Sequence, residues 1–351
     1  MDGNSFTDHI ILENNTIFDA LVILNKIKNG ILTLFVIDSD SRLKGTLTDG
    51  DIRRFLTKGN DLKAPVSEAM NANYLYISSV NDKVALDVKS IRAKGISSVP
   101  LIDDFGRILK IYNLNRYKSF LQIDAVLMAG GKGERLRPLT DKTPKPLLPV
   151  GDKAIIDYNV ERLISFGIDN LFVTVNYLKE QIEEHFQKEY DGVKITCVRE
   201  PQYLGTMGSV RFVDSFKNDT ILIMNSDLFT NIDYEGFYLH FKQHDADMSV
   251  AAVPYDISIP YGIFDLDGRN IKGVKEKPIY NYYANAGIYM IKRSLLEMIP
   301  ANTFFNATDL IEMLIENQMK VVRFPLTGYW IDIGKMDDYR RAQDFVKHIK
   351  E

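Results

Sequence analysis

At 351 residues the chain exceeds what one ordinary hydrophobic core organises, and its length calls for two or three domains. Its composition, 45% hydrophobic and 26% charged, is that of a soluble globular protein, and a formal net charge of -4 gives no global electrostatic ground for binding nucleic acid. A single cysteine, Cys197, excludes an intrachain disulfide and fits a reducing, cytoplasmic setting; the opening MDGNSFTDHI lacks a basic-then-apolar leader, and no run approaches the roughly 18 apolar residues of a membrane span.

The front of the chain repeats itself. Shifted by 65 positions, Ala20-Leu21 falls on Ala85-Leu86, Gly30-Ile31 on Gly95-Ile96, Ile37-Asp38 on Ile102-Asp103 and Arg42 on Arg107. Each copy predicts a helix opened by Thr16 or Asn81 as N-cap and closed by Gly30 or Gly95. A short apolar strand follows (LTLFVID, SSVPLID), then a polar turn, a second strand and a helix. One α+β unit of this size buries little surface, so the copies, 1–58 and 59–119, are expected to pack as a pair ahead of a domain over 120–351.

This tandem resembles a pair of cystathionine β-synthase (CBS) domains. In that family a Thr or Ser after the second strand meets the phosphate of a bound nucleotide, and an Asp three residues later holds its ribose. GTLTDGDIRRF supplies Thr48 and Asp51, whereas KIYNLNRYKSF places Asn113 and Arg116 at the matching positions of the second copy. The resemblance implies one regulatory nucleotide at most. The same two residues also suit a helix cap, which would make the pair structural or dimerising.

From Ile123 the texture changes. IDAVLMAG, NLFVTVNY, VKITCVRE, TILIMNSD and MSVAAVPY read as buried strands, with helical patterns such as IIDYNVERLISFG and LKEQIEEHFQKEY between them. This alternation predicts an α/β domain, a sheet with helices on both faces and ligands at the carboxyl ends of strands. After the first strand comes LMAGGKGERLRPLTDKTPKPLLPV. Gly130, Gly131 and Gly133 let backbone N–H groups line a concave turn that holds phosphate oxygens, with Lys132 and Arg135 beside it. Four of the chain's 12 prolines lie between Pro138 and Pro149, so Lys145 sits on a stiff mount between Pro144 and Pro146.

The stretch resembles the signature of sugar-1-phosphate nucleotidyltransferases, a glycine-rich GxG[ST]RL-like turn followed by KPLLP; Glu134 replaces the small hydroxyl residue. The resemblance covers residues 123 to 351 and implies a Rossmann-like mixed sheet. It also implies attack of a sugar-1-phosphate oxygen on the α-phosphorus of a nucleoside triphosphate. Arg135 would steady the leaving pyrophosphate and Lys145 bridge the reacting phosphates. Asp227, at the end of TILIMNSD, and Asp332, in YWIDIG, are the implied ligands of a magnesium ion (Mg2+). The base is expected near Gly205 and Thr206 of LGTMG. The sugar phosphate is expected near Tyr261 of YGIF, Glu276 and Lys277 of EKP, and Asn285 and Gly287 of NAG.

The architecture resembles guanylyltransferases acting on hexosamine or heptose phosphates for bacterial surface sugars, which favours GTP and leaves UTP, dTTP and CTP open. A homo-oligomer is implied, with neither nucleic acid nor membrane as partner. The rival reading is a nucleotide-sensing scaffold without activity, against which stand the four charged residues Arg135, Lys145, Asp227 and Asp332.

Overall fold

The computed structural model describes residues 6–27, 31–78, 88–190 and 192–349. The chain forms two compact units, Met1–Leu121 and Gln122–Glu351. No helix among the described residues is long and apolar enough to cross a membrane.

In the first unit, β1 (Ile10–Leu12), α1 (Ile17–Lys26), β2 (Thr33–Ile37), β3 (Leu43–Thr48) and α2 (Asp49–Leu56) make one copy, and β4 (Ile77–Ser78), α3 (Val88–Ala93), β5 (Ser98–Ile102) and β6 (Ile108–Asn113) make the other. Each copy has a three-stranded sheet, parallel on one side of its central strand and antiparallel on the other. The repeat extends to register. Thr33 pairs with Thr48 and Ser98 with Asn113, and the ladders bulge at Val36/Ile37 and at Leu101/Ile102, each position again 65 residues from its counterpart. Phe35, Leu43, Ile102 and Ile108 form a buried cluster between the two sheets.

Thr16 caps α1 as expected, in a reciprocal box with Asp19. Gly95 follows α3 with φ +76°. Asn81 and Gly30, the other expected cap positions, lie outside the described residues.

One expectation is overturned: no helix follows β6. At the matching place in the first copy, Thr48 accepts the Asp51 N–H and Asp51 accepts the Thr48 N–H, which opens α2. In the second copy Asn113 Oδ1 instead accepts the Asn115 N–H at 3.0 Å, a local turn that competes with helix initiation. Tyr117 then packs edge-on and Phe120 at a tilt against Tyr112.

In the second unit β7 (Asp124–Met128) is followed by a short hairpin of β8 (Pro149–Val150) and β9 (Lys153–Ala154), then α4 (Ile155–Ser165), β10 (Leu171–Val175), α5 (Lys179–His185) and β11 (Ile195–Arg199). Next come β12 (Thr220–Asn225), β13 (Leu228–Thr230), α6 (Tyr234–Gln243), β14 (Met248–Ser258), β15 (Ile263–Asp267), β16 (Asn270–Lys275) and β17 (Ile279–Lys292). The chain closes with α7 (Ala307–Glu316), β18 (Val321–Pro325), β19 (Trp330–Asp332) and α8 (Met336–Ile349). The main sheet runs β11-β10-β7-β12-β17-β14-β18 and is parallel except for β17.

Alternating residues of β12 face opposite layers. Ile221 and Ile223 join Leu310 and Leu314 of α7 in one core, while Met224 points the other way and meets Tyr234 of α6. Helices therefore cover both faces. The helical pattern ending at Tyr190 stops early, at His185, because Asp157 Oδ1 draws in both His185 Nε2 at 2.7 Å and the Tyr190 hydroxyl at 2.8 Å. Cys197 lies half-buried in β11, and burial pushes its thiol up to about 11, so it stays protonated near neutrality.

β7 connects to β10 on one side and has β12 on the other, so the strand order reverses between β7 and β12. In sheets of this kind the crevice outside the carboxyl ends at such a reversal receives ligands.

The Thr48–Asp51 box makes a testable contribution to the first unit. Asp51→Ala should lower the unfolding free energy of the full chain by about 1 kcal/mol in urea titration. A change within the error of the measurement would show that the box does not hold α2.

Candidate active site

The reversal of strand order gathers the charged residues. The glycine turn leaves the end of β7, and Asp227 leaves the end of β12, which pairs with β7 up to Asn225–Met128. Among the described residues no protein acceptor meets the backbone N–H groups of Gly130, Gly131, Lys132 or Gly133, as an anion-holding turn requires. Gly133 has φ +63°, and a Cβ there would stand 3.0 Å from both Lys145 Cβ and Thr140 Cγ2. Only glycine lets the turn lie against the proline-held lysine.

Lys145 is 9% exposed, and its ammonium donates to Asp227 Oδ2. The other carboxylate oxygen of Asp227, Oδ1, is buried without a partner. Asp332 lies beside this pair because β13 and β19 place Leu228 opposite Asp332. Burial, followed by the charge of Asp227, raises the Asp332 carboxyl above its ordinary range, while Lys145 and Arg135 pull the other way. Arg135 reaches this group through Gly334, where a Cβ would come within 3.3 Å of the guanidinium. Two carboxylates close enough to repel, one with an orphaned buried oxygen, fit a divalent cation with phosphate oxygens completing its shell.

The mount is braced from behind. The Pro149 carbonyl accepts bonds from Tyr339 and Gln343 of α8, each at 2.6 Å, and Gln343 in turn accepts the Gly151 N–H.

Glu200 is a functional candidate that the sequence reading missed. It is 3% exposed, its Oε2 accepts the Leu204 N–H at 3.2 Å, and its Oε1 occupies the space where a Gly130 Cβ would go. Burial pushes its carboxyl up to about 7, the Leu204 N–H acting the other way. A glutamate beside the proline of VREP carries no signal of burial in sequence; its closeness to Gly130 exists only through the pairing of β11, β10 and β7.

Gly205, with φ +79°, lies against Phe305 and Asn306, and the Thr206 hydroxyl accepts the Ala307 N–H at 2.9 Å at the start of α7. Gly287 has φ +71° at a break in the β14–β17 ladder, and a Cβ there would meet Asn225. Asn285 supports that break, accepting the Gly287 N–H and donating to the Tyr289 hydroxyl. Tyr261, Glu276 and Lys277 stand exposed on an arm beyond the sheet, with Glu276 resting against Gly262 and Lys277 at φ +44°.

A family model described as Nucleotidyl transferase matches residues 124–349, and one described as CBS domain matches residues 9–58. The chain is 29% identical over 223 residues to a putative mannose-1-phosphate guanyltransferase of Sulfolobus acidocaldarius, an alignment covering 62% of each protein. The chain thus spans about three-fifths of that relative's length. It is also 29% identical over 231 residues to a D-glycero-alpha-D-manno-heptose 1-phosphate guanylyltransferase of Aneurinibacillus thermoaerophilus, covering 64% of this chain and 99% of that one. The solved structure of HddC from Yersinia pseudotuberculosis, complexed with GMP-PN, shares the fold at a TM-score of 0.51 and 23% identity, covering 64% of this chain and 100% of that one.

Glu200 has a pH signature. Its folded pKa of about 7 lies above the ordinary 4.5, so its burial weakens the fold progressively as pH rises through that interval. Glu200→Gln should therefore gain in melting temperature relative to wild type between pH 4.5 and pH 8. An unchanged difference across that range would show that burial does not hold Glu200 neutral.

Proposed function

The chain belongs to the nucleotidyl transferase family, and on that premise we propose that it transfers guanylyl from GTP to a sugar 1-phosphate, yielding a GDP-sugar and pyrophosphate. A sugar-phosphate oxygen attacks the α-phosphorus, and the bond from that phosphorus to the bridging oxygen of pyrophosphate breaks. The observation that carries this reading is Lys145, held by prolines against Asp227 at the reversal of strand order, with Asp332 and Arg135 alongside.

Both reactants are polyanions, so catalysis consists of positioning and charge neutralisation rather than covalent attack by the protein. The N–H groups of Gly130, Gly131 and Gly133 hold the triphosphate, Arg135 steadies the departing pyrophosphate, and Lys145 meets charge building on the reacting phosphates. Asp227 and Asp332 would hold Mg2+, which would neutralise phosphate charge when bound. Gly205 and Thr206 border the base. The sugar phosphate lies between Tyr261, Glu276 and Lys277 on one side and Asn285 and Gly287 on the other. The guanyltransferase and guanylyltransferase names of two relatives favour GTP, with UTP, dTTP and CTP as the alternatives. The front unit, with copies over 1–58 and 59–119, serves as a regulatory CBS pair whose nucleotide meets Thr48 and Asp51.

A panel of GTP, UTP, dTTP and CTP against mannose, glucose, N-acetylglucosamine and heptose 1-phosphates, scored by pyrophosphate release with Mg2+, tests the reaction. GTP should lead by at least tenfold for one sugar; silence across the panel would favour the scaffold. With that pair, Lys145→Ala should reduce turnover about 10²-fold or more, and Asp227→Asn or Asp332→Asn should abolish magnesium-dependent activity. Near-normal turnover in a variant that melts cooperatively would remove that residue from the mechanism.

A further inference from the structure

The buried side of α4 holds an amide among aliphatic side chains. Asn159 is 1% exposed, and Ile155, Ile156, Val160 and Leu163 around it on the helix are fully buried. Asparagine forms helix less readily than leucine, and an amide taken out of water must find partners for its polar atoms. Nδ2 finds two, donating to the Leu228 carbonyl at 2.8 Å and to the Ser226 carbonyl at 3.3 Å. Both partners are acceptors, so both amide hydrogens face them, one on each side of Asp227.

Asp227 lies in the turn between β12 and β13, past the last rung of the ladder at Asn225–Met128. Ser226 ties that turn to the sheet, its N–H and its hydroxyl both donating to the Met128 carbonyl, and the Asp227 carbonyl accepts the Ile333 N–H. Asn159 adds a hold on the two carbonyls that flank the aspartate. The helix it belongs to begins where the Ile155 N–H donates to the Leu148 carbonyl at 3.1 Å, at the end of the proline-held segment. One helix thus carries the mount of Lys145 and the grip on Asp227.

We propose that Asn159 is a positioning residue whose amide sets the direction of the Asp227 carboxylate, and with it the affinity of the site for a divalent cation. The inference rests on the reading of Asp227 as a magnesium ligand. If filling space were all that the position required, a leucine would match the asparagine in size and complete the aliphatic face. The amide instead spends both hydrogens on the peptide groups beside a carboxylate whose Oδ1 is buried without a partner. Groups that orient a metal ligand in this way tune affinity without touching the metal.

The experiment compares full-length wild type, Asn159→Leu, Leu163→Ala and Asp227→Asn. Free Mn2+ counted by electron paramagnetic resonance gives metal affinity without turnover, and half-saturating Mg2+ is read separately from pyrophosphate release. Asn159→Leu should raise both midpoints by about 10–100-fold and leave the KM for GTP at saturating Mg2+ unchanged. Leu163→Ala opens a cavity on the same helix, so it should lower the melting temperature and leave both midpoints in place. Wild-type midpoints in Asn159→Leu, or an equal shift in Leu163→Ala, would overturn the positioning role while leaving Asp227 a ligand. Mn2+ binding undiminished in Asp227→Asn would instead remove the metal assignment, and this inference with it.

Discussion

An ammonium and a carboxylate taken partly out of water gain from one another only if both are fixed, because removing them from solvent offsets most of their attraction. Lys145 and Asp227 meet this condition from two directions. Pro144 and Pro146 hold the lysine's backbone, and Gly133 allows the glycine turn to close over its side chain. Asp227 is fixed because its strand, β12, ladders onto β7, and its own carbonyl accepts the Ile333 N–H. Once that pair is set, the positions of Asp332, Arg135 and the glycine turn follow from the same elements. The second oxygen of Asp227, Oδ1, stays buried without a hydrogen-bond partner.

Much of this was legible because the residues concerned speak locally. A proline-flanked lysine, a triple-glycine turn after an apolar strand and an aspartate ending another announce themselves within a few positions. β7, β10, β11, β12 and the start of β14 could be read from their unbroken apolar runs. What could not be read depends on distant pairing. Within the seven-stranded sheet β17 runs against its neighbours, yet nothing in IYNYYANAGIYMIK distinguishes its direction. Glu200 is indistinguishable in sequence from a surface glutamate until three strands bring it under Gly130.

The front unit separates likeness of sequence from likeness of structure. Its two copies agree down to the position of a bulge, which the internal repeat foretold in kind though not in detail. They part at two positions. Thr48 can cap a helix through Asp51, while Asn113 satisfies its own turn, so the second copy ends without the helix that the first carries. A hydroxyl is exchanged for an amide, and a carboxylate for a guanidinium three residues on, where the two backbones diverge.

The pair of hydrogen bonds accepted by the Pro149 carbonyl has a reach beyond its surroundings. Tyr339 and Gln343 lie some 190 residues away in sequence and touch no reacting group, yet they hold the segment that aims Lys145. A lysine mounted this way inherits the stability of the helix behind it. Under the proposed role of Lys145, fraying of α8 would register as lost turnover long before the sheet unfolds, and the residues of that helix would be answerable to catalysis without touching a substrate.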